Sequence, residues 1–110
     1  MNRELLIDRL LKLPAEIAHQ EQCVFGMEAE RRQAEERLRD REDDLLLSGE
    51  LDGRNSEIRA AQLRHRTREE RDKLTAATAR VESERRKLRR LQNELSALKS
   101  AARLLAGPDE

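Results

Sequence analysis

The chain has 110 residues, 23 of them basic and 23 acidic, so 42% is charged and the formal net charge is zero. Phe25 is the only aromatic residue, Tyr and Trp are absent, and mean hydropathy is -0.95. This length allows one domain at most, and an apolar inventory of mainly Leu and Ala argues against a globular core. Abundant Ala, Glu, Lys, Leu and Arg with a regular apolar repeat points to coiled coil rather than to disorder.

Met1-Asn2-Arg3-Glu4 precedes only Leu5, Leu6 and Ile7 before charge returns at Asp8 and Arg9, too short a run for a signal peptide. No apolar run is long enough for a transmembrane helix. An N-terminal helical segment is expected over 1–13, because Pro14 should open or kink a helix at Pro14-Ala15-Glu16. The first long helix then covers 14–47. Ser48-Gly49-Glu50-Leu51-Asp52-Gly53-Arg54-Asn55 concentrates the turn formers, so a turn is placed at 48–55. Asn55 or Ser56 can cap a second long helix over 56–106, with Glu57 favouring its dipole. Gly107-Pro108 stops that helix and leaves a tail at 107–110.

Heptads describe both halves. In the first, a positions are Arg3, Leu10, Ile17, Val24, Arg31, Leu38 and Leu45, and d positions are Leu6, Leu13, Gln20, Met27, Ala34, Arg41 and Ser48. Nine of these 14 are apolar. In the second, Ala60, Thr67, Leu74, Val81, Leu88, Leu95 and Ala102 take a, and Leu63, Glu70, Ala77, Glu84, Leu91, Leu98 and Leu105 take d. Eleven of those 14 are apolar. Such a seam is the mark of a coiled coil.

Charge chooses the direction of pairing. Residues 1–52 hold 8 basic and 14 acidic side chains, net -6, and residues 53–110 hold 15 and 9, net +6. Glu21, Glu28, Glu35 and Glu42 form an e column. Arg59, Arg66, Lys73, Arg80 and Lys87 form a g column on the other half, whose e positions include Arg64, Arg71, Arg85 and Lys99. Antiparallel packing brings e to e and g to g. One register then pairs Glu42 with Arg64, Glu35 with Arg71 and Glu21 with Arg85. It also pairs Asp44 with Arg59, Glu30 with Lys73 and Glu16 with Lys87, leaving Arg37 against Arg66 as a conflict. Across the seam it sets Leu38 on Leu63, Met27 on Leu74, Leu10 on Leu91 and Leu6 on Leu95, with Arg31 beside Glu70 as a polar layer. Its centre falls between Glu50 and Leu51, inside the turn. The expected fold is all-α: a long antiparallel two-helix coiled-coil hairpin of about 70 Å.

Apolar residues remain outside the seam. Ile7, Leu11, Ala18 and Phe25 lie beside it on the first helix, and Leu104 near the end of the second. Leu46, Leu47, Leu51 and Ile58 form a smaller group at the turn. A second copy would cover the first set, making the protein a dimer. Alternatively the segment before Pro14 folds back over Phe25.

Catalytic chemistry has little to build on. His19 and His65 are far apart in sequence and share a single cysteine, Cys23, so neither a metal nor another cofactor is expected. One cysteine also suits a reducing, cytoplasmic setting. Arg85-Arg86-Lys87-Leu88-Arg89-Arg90 is the strongest basic run. Either Arg85 and Lys87 serve the acidic helix while Arg86, Arg89 and Arg90 are solvated, or those three contact nucleic acid.

The segment from Leu51 to Leu63 resembles the D-G-[KR]-N-x-E-x-R-x-x-Q-L turn of small helical proteins encoded by bacteriophages and prophages. Asp52, Gly53, Arg54, Asn55, Glu57, Arg59, Gln62 and Leu63 match, with Ser56 and Ile58 at variable positions. The resemblance implies a bacterial cytoplasmic or phage setting, often near recombination or replication genes. Gly53, Asn55 and Leu63 have structural uses, whereas Arg54 and Gln62 do not, which marks Arg54, Asn55, Arg59 and Gln62 as a partner-binding tip. The expectation is a non-enzymatic scaffold that binds a protein partner through tip or open end. The alternative is an accessory factor in recombination or replication that binds nucleic acid through its basic helix. No membrane or small-molecule substrate is expected.

Overall fold

A computed structural model of the chain describes residues 2–53 and 55–107. These form α1 (Arg3–Ser48), α2 (Ser56–Arg66) and α3 (Arg68–Ala106), with no strand among the described residues. Asn2 starts α1: its Oδ1 accepts the Leu5 N–H at 2.8 Å and its carbonyl accepts the Leu6 N–H at 3.1 Å.

Pro14 does not divide the first helix. The expected segment 1–13 and helix 14–47 are one uninterrupted α1 with Pro14 inside it. Proline forfeits one helical hydrogen bond and crowds the preceding turn, at a cost of about 3 kcal/mol. Pro14 is exposed, while Leu6 and Leu13 before it and Gln20 beyond it are buried, so packing on both sides holds the helix through that position. The fold-back of residues 1–13 is therefore also excluded, and Phe25 stays 64% exposed.

The second helix, expected whole over 56–106, is interrupted at Thr67 (φ -110, ψ 15). Thr67 is completely buried, and its hydroxyl needs a partner there. The Oγ1 donates to the Leu63 carbonyl at 2.7 Å, which already accepts the Thr67 N–H at 3.0 Å. A hydroxyl bonded back onto the preceding turn competes with the regular helix and distorts it. The Arg71 N–H still reaches the Thr67 carbonyl at 2.9 Å, so the interruption is one residue long.

The chain packs as two units, residues 1–26 with 82–110, and residues 27–81. In the first, buried Leu6, Leu13 and Leu98 form a core extended by half-buried Leu10, Leu91, Leu95, Ala101 and Ala102. Arg9 makes a two-point bridge to Glu94, Nε–Oε2 at 2.6 Å and a second guanidinium nitrogen to Oε1 at 2.8 Å, and also binds Glu16. Both Arg9 and Glu94 are g positions. Buried Gln20 donates through Nε2 to the Glu84 carbonyl at 2.9 Å and to its carboxylate at 2.5 Å. These pairs show antiparallel packing of the α1 and α3 segments within this unit.

The second unit buries Leu45, Thr67, Ala77 and Val81. Its α1 segment also runs antiparallel to its α2 and α3 segments, but its ion pairs differ from the expected set. Glu42 approaches Arg71 (3.8 Å), not Arg64, and Glu30 approaches Arg80 (3.8 Å), not Lys73. Both are displaced by one heptad. Glu42, Glu30 and Asp44 keep partners of opposite charge after such a slip, while Glu35 trades Arg71 for Thr78, so weak surface electrostatics discriminates little between the two registers. The seam does more. In the displaced register the heptads set Leu63, rather than Ser56, opposite Leu45, and Leu45 is 1% exposed. The polar layer moves too: Arg31 binds Glu35 on its own helix at 2.7 Å, and buried Gln20 with Glu84 supplies a polar layer instead.

Every a and d residue from Leu6 to Leu45 and from Leu63 to Ala102 is buried or half-buried. The inward face thus follows the heptad reading. The exceptions are Arg3, Ser48, Ala60 and Leu105 at the helix ends, all exposed.

Candidate interaction surfaces

The turn surface is built from the end of α1 and the start of α2. Gly49 follows α1 with φ 72, the left-handed conformation that glycine adopts at least cost. Asn55 caps α2 from extended backbone (φ -147, ψ 131), its Oδ1 accepting the Glu57 N–H at 2.7 Å. Gln62, which has no part in the sequence-based turn, acquires one: its Oε1 accepts the Asp52 N–H at 2.8 Å. Arg66 bridges to Glu50 at 2.5 Å. Together these bonds frame an open hollow lined by Gly49, Glu50, Leu51, Asp52, Gln62 and His65, among others. Arg59 is exposed and is not among the residues that line it, while Arg54 lies outside the described residues.

The apolar residues set apart from the seam are indeed uncovered within the chain. Ile7, Leu11, Ala18 and Phe25 are all exposed, as is Leu104. At about 100° per residue the four α1 positions form one narrow stripe, roughly 135° round the helix from the Leu6–Leu13–Gln20 seam. Leu5 and Leu105 are exposed as well, and the heptad pattern does not single them out. Leu5 falls at c in the heptad, and Leu105 takes a d position too near the helix end to be covered. Of the turn group, Leu46, Leu47 and Ile58 are exposed and Leu51 is half-buried.

The basic run separates by side. Lys87 binds Glu84 at 3.2 Å and Arg85 approaches Glu82 at 3.5 Å, both within α3. Arg86, Arg89 and Arg90 are exposed and make no ion pair among the described residues. Glu84 and Glu94 are half-buried, whereas Glu82 is exposed. The hydrogen bond from Gln20, followed by that from Lys87, lowers the Glu84 carboxyl below its ordinary value. The Arg9 bridge lowers Glu94 likewise, and its bond to Glu94 chiefly raises Arg9 in return.

Among the described residues no group of three or more His, Cys, Asp or Glu is arranged to hold a metal ion. His19 Nε2 and Cys23 Sγ approach to 3.7 Å one turn apart and stand alone. No described helix is long and apolar enough to cross a membrane. Neither a family model, a curated protein nor a solved structure matches the chain.

Proposed function

We propose that this is a non-enzymatic coiled-coil interaction protein that works as a homodimer and presents the turn surface to a protein partner. The observation that carries the reading is the exposed stripe of Ile7, Leu11, Ala18 and Phe25, with Leu104 on α3. A stripe set roughly 135° from an occupied seam lies on the side of α1 turned away from its partner and suits a further helix packing there. Leaving it in water forgoes on the order of 1.5–3 kcal/mol for each large side chain. The turn hollow, lined by Gln62 among others, together with the tip residues Arg54, Asn55 and Arg59 assigned from sequence, is the surface for a different protein. The turn's resemblance to phage and prophage helical proteins sets this role in the cytoplasm of a bacterial host.

Light scattering tests the first element. The wild-type chain at tens of micromolar is expected to run as a dimer. The variant carrying Ile7→Ser, Leu11→Ser and Phe25→Ser should be a monomer that keeps its helical circular dichroism. A monomeric wild type at 100 micromolar overturns the reading.

A further inference from the structure

We infer that the outward face of α3 in the first unit is a binding surface for double-stranded nucleic acid, held through the phosphate backbone without sequence readout. This goes beyond the protein-interaction reading and does not depend on it. Arg86, Arg89 and Arg90 sit within about one helical turn of each other, at i, i+3 and i+4, so their side chains share one face. That face continues through Asn93, Ser96 and Ser100 to Arg103, all exposed. At 1.5 Å per residue it is about 25 Å long, close to seven base-pair steps of a duplex.

Three features select the partner. The first is uncompensated charge. From Arg85 to Ala106 the single acidic residue is Glu94, which is occupied by Arg9. Glu82 bounds the face at one end and is bridged to Arg85. The second is the chemistry between the arginines. Asn93, Ser96 and Ser100 are short donors that suit phosphate oxygens, as non-specific contacts in protein–DNA interfaces generally are. The third is what the face lacks. Exposed residues from Glu82 to Arg103 are polar or alanine, with no large apolar side chain to enter a bilayer. Without an aromatic side chain it also offers no platform for unstacked bases, which favours the duplex over the single strand.

Fluorescence anisotropy with a labelled mixed-sequence DNA duplex of 24 base pairs tests the assignment. Binding is expected at 50 mM salt. With three phosphates neutralised, it should weaken by about 40-fold on going to 200 mM. Replacing Arg86, Arg89 and Arg90 by Gln should cost at least about tenfold at 50 mM salt with helicity retained. A control with the same charge loss, Arg32→Gln, Arg64→Gln and Arg68→Gln, should stay within about twofold of wild type. Equal loss in both variants would reduce the effect to net charge and refute the site. So would an absence of duplex binding at 50 mM salt and 100 micromolar protein. Preference for the single strand, for polyglutamate or for phosphatidylserine vesicles over the duplex also overturns it. A duplex of RNA bound as well as DNA supports backbone recognition.

Discussion

Replacing Leu13 by alanine probes whether the seam carries the stability of this chain. Leu13 has no exposed surface, and it sits in the cluster with Leu6 and Leu98. Truncation removes three carbons, worth about 2.4 kcal/mol in transfer alone at ~0.8 kcal/mol per methylene. Incomplete collapse of the cavity adds to this, giving an expected loss of about 3 kcal/mol. For a chain whose total stability is on the order of 5–15 kcal/mol, that is a large fraction. With a urea slope near 1.5 kcal/mol per molar, the unfolding midpoint followed at 222 nm should fall by about 2 M. Leu47→Ala is the matched comparison, because Leu47 is 86% exposed and its truncation should cost within about 0.5 kcal/mol. Equal effects of the two substitutions would refute the inward face assigned to α1. A change of under 0.5 kcal/mol from Leu13→Ala would do the same.

Asn55→Ala removes the cap of α2 and should cost about 1 kcal/mol, seen as faster amide exchange at Glu57 and in the first turn of α2; unchanged exchange there would contradict the capping role. Acid should also destabilise the first unit. Glu84 and Glu94 have folded values lowered from the ordinary 4.5, so their contribution is fully present above pH 4.5 and is lost as pH falls through the folded values. The urea midpoint should therefore be level from neutral pH to about 5 and decline below 4.5, less steeply in Glu94→Gln. An identical acid slope in that variant would show the Arg9 bridge to be without effect.

The inward residues were legible in sequence because heptad spacing is a local property of each helix. Leu6, Leu13, Leu45, Val81 and Leu98 are named by their spacing and are buried in the structure. The capping by Asn55 and the glycine stop at Gly107 were legible for the same reason, since both follow from backbone chemistry over a few residues, whereas the left-handed glycine of the turn is Gly49 and not Gly53. The candidate surfaces were legible as leftovers: Ile7, Leu11, Ala18, Phe25 and Leu104 fall off the seam and are exposed. Gln62 was not legible as a turn residue, because its partner Asp52 lies ten residues earlier across the loop. Thr67 read as an ordinary seam position, and nothing in its spacing marked the break in the helix there.

The zero net charge is a sum of opposite halves, and composition alone establishes that the two would attract. Sequence also determines helix, inward face and antiparallel sense, through propensity, period and the signs of the flanking columns. It does not determine register in the second unit, since the flanking charges find partners of opposite sign in more than one heptad alignment. Tertiary packing makes that choice, setting Glu42 against Arg71 and Glu30 against Arg80, with Leu45 buried. Likewise Pro14 stays within α1 because burial on either side outweighs the lost hydrogen bond. Charge repeats and is weak in water, whereas each buried side chain has one cavity to fill.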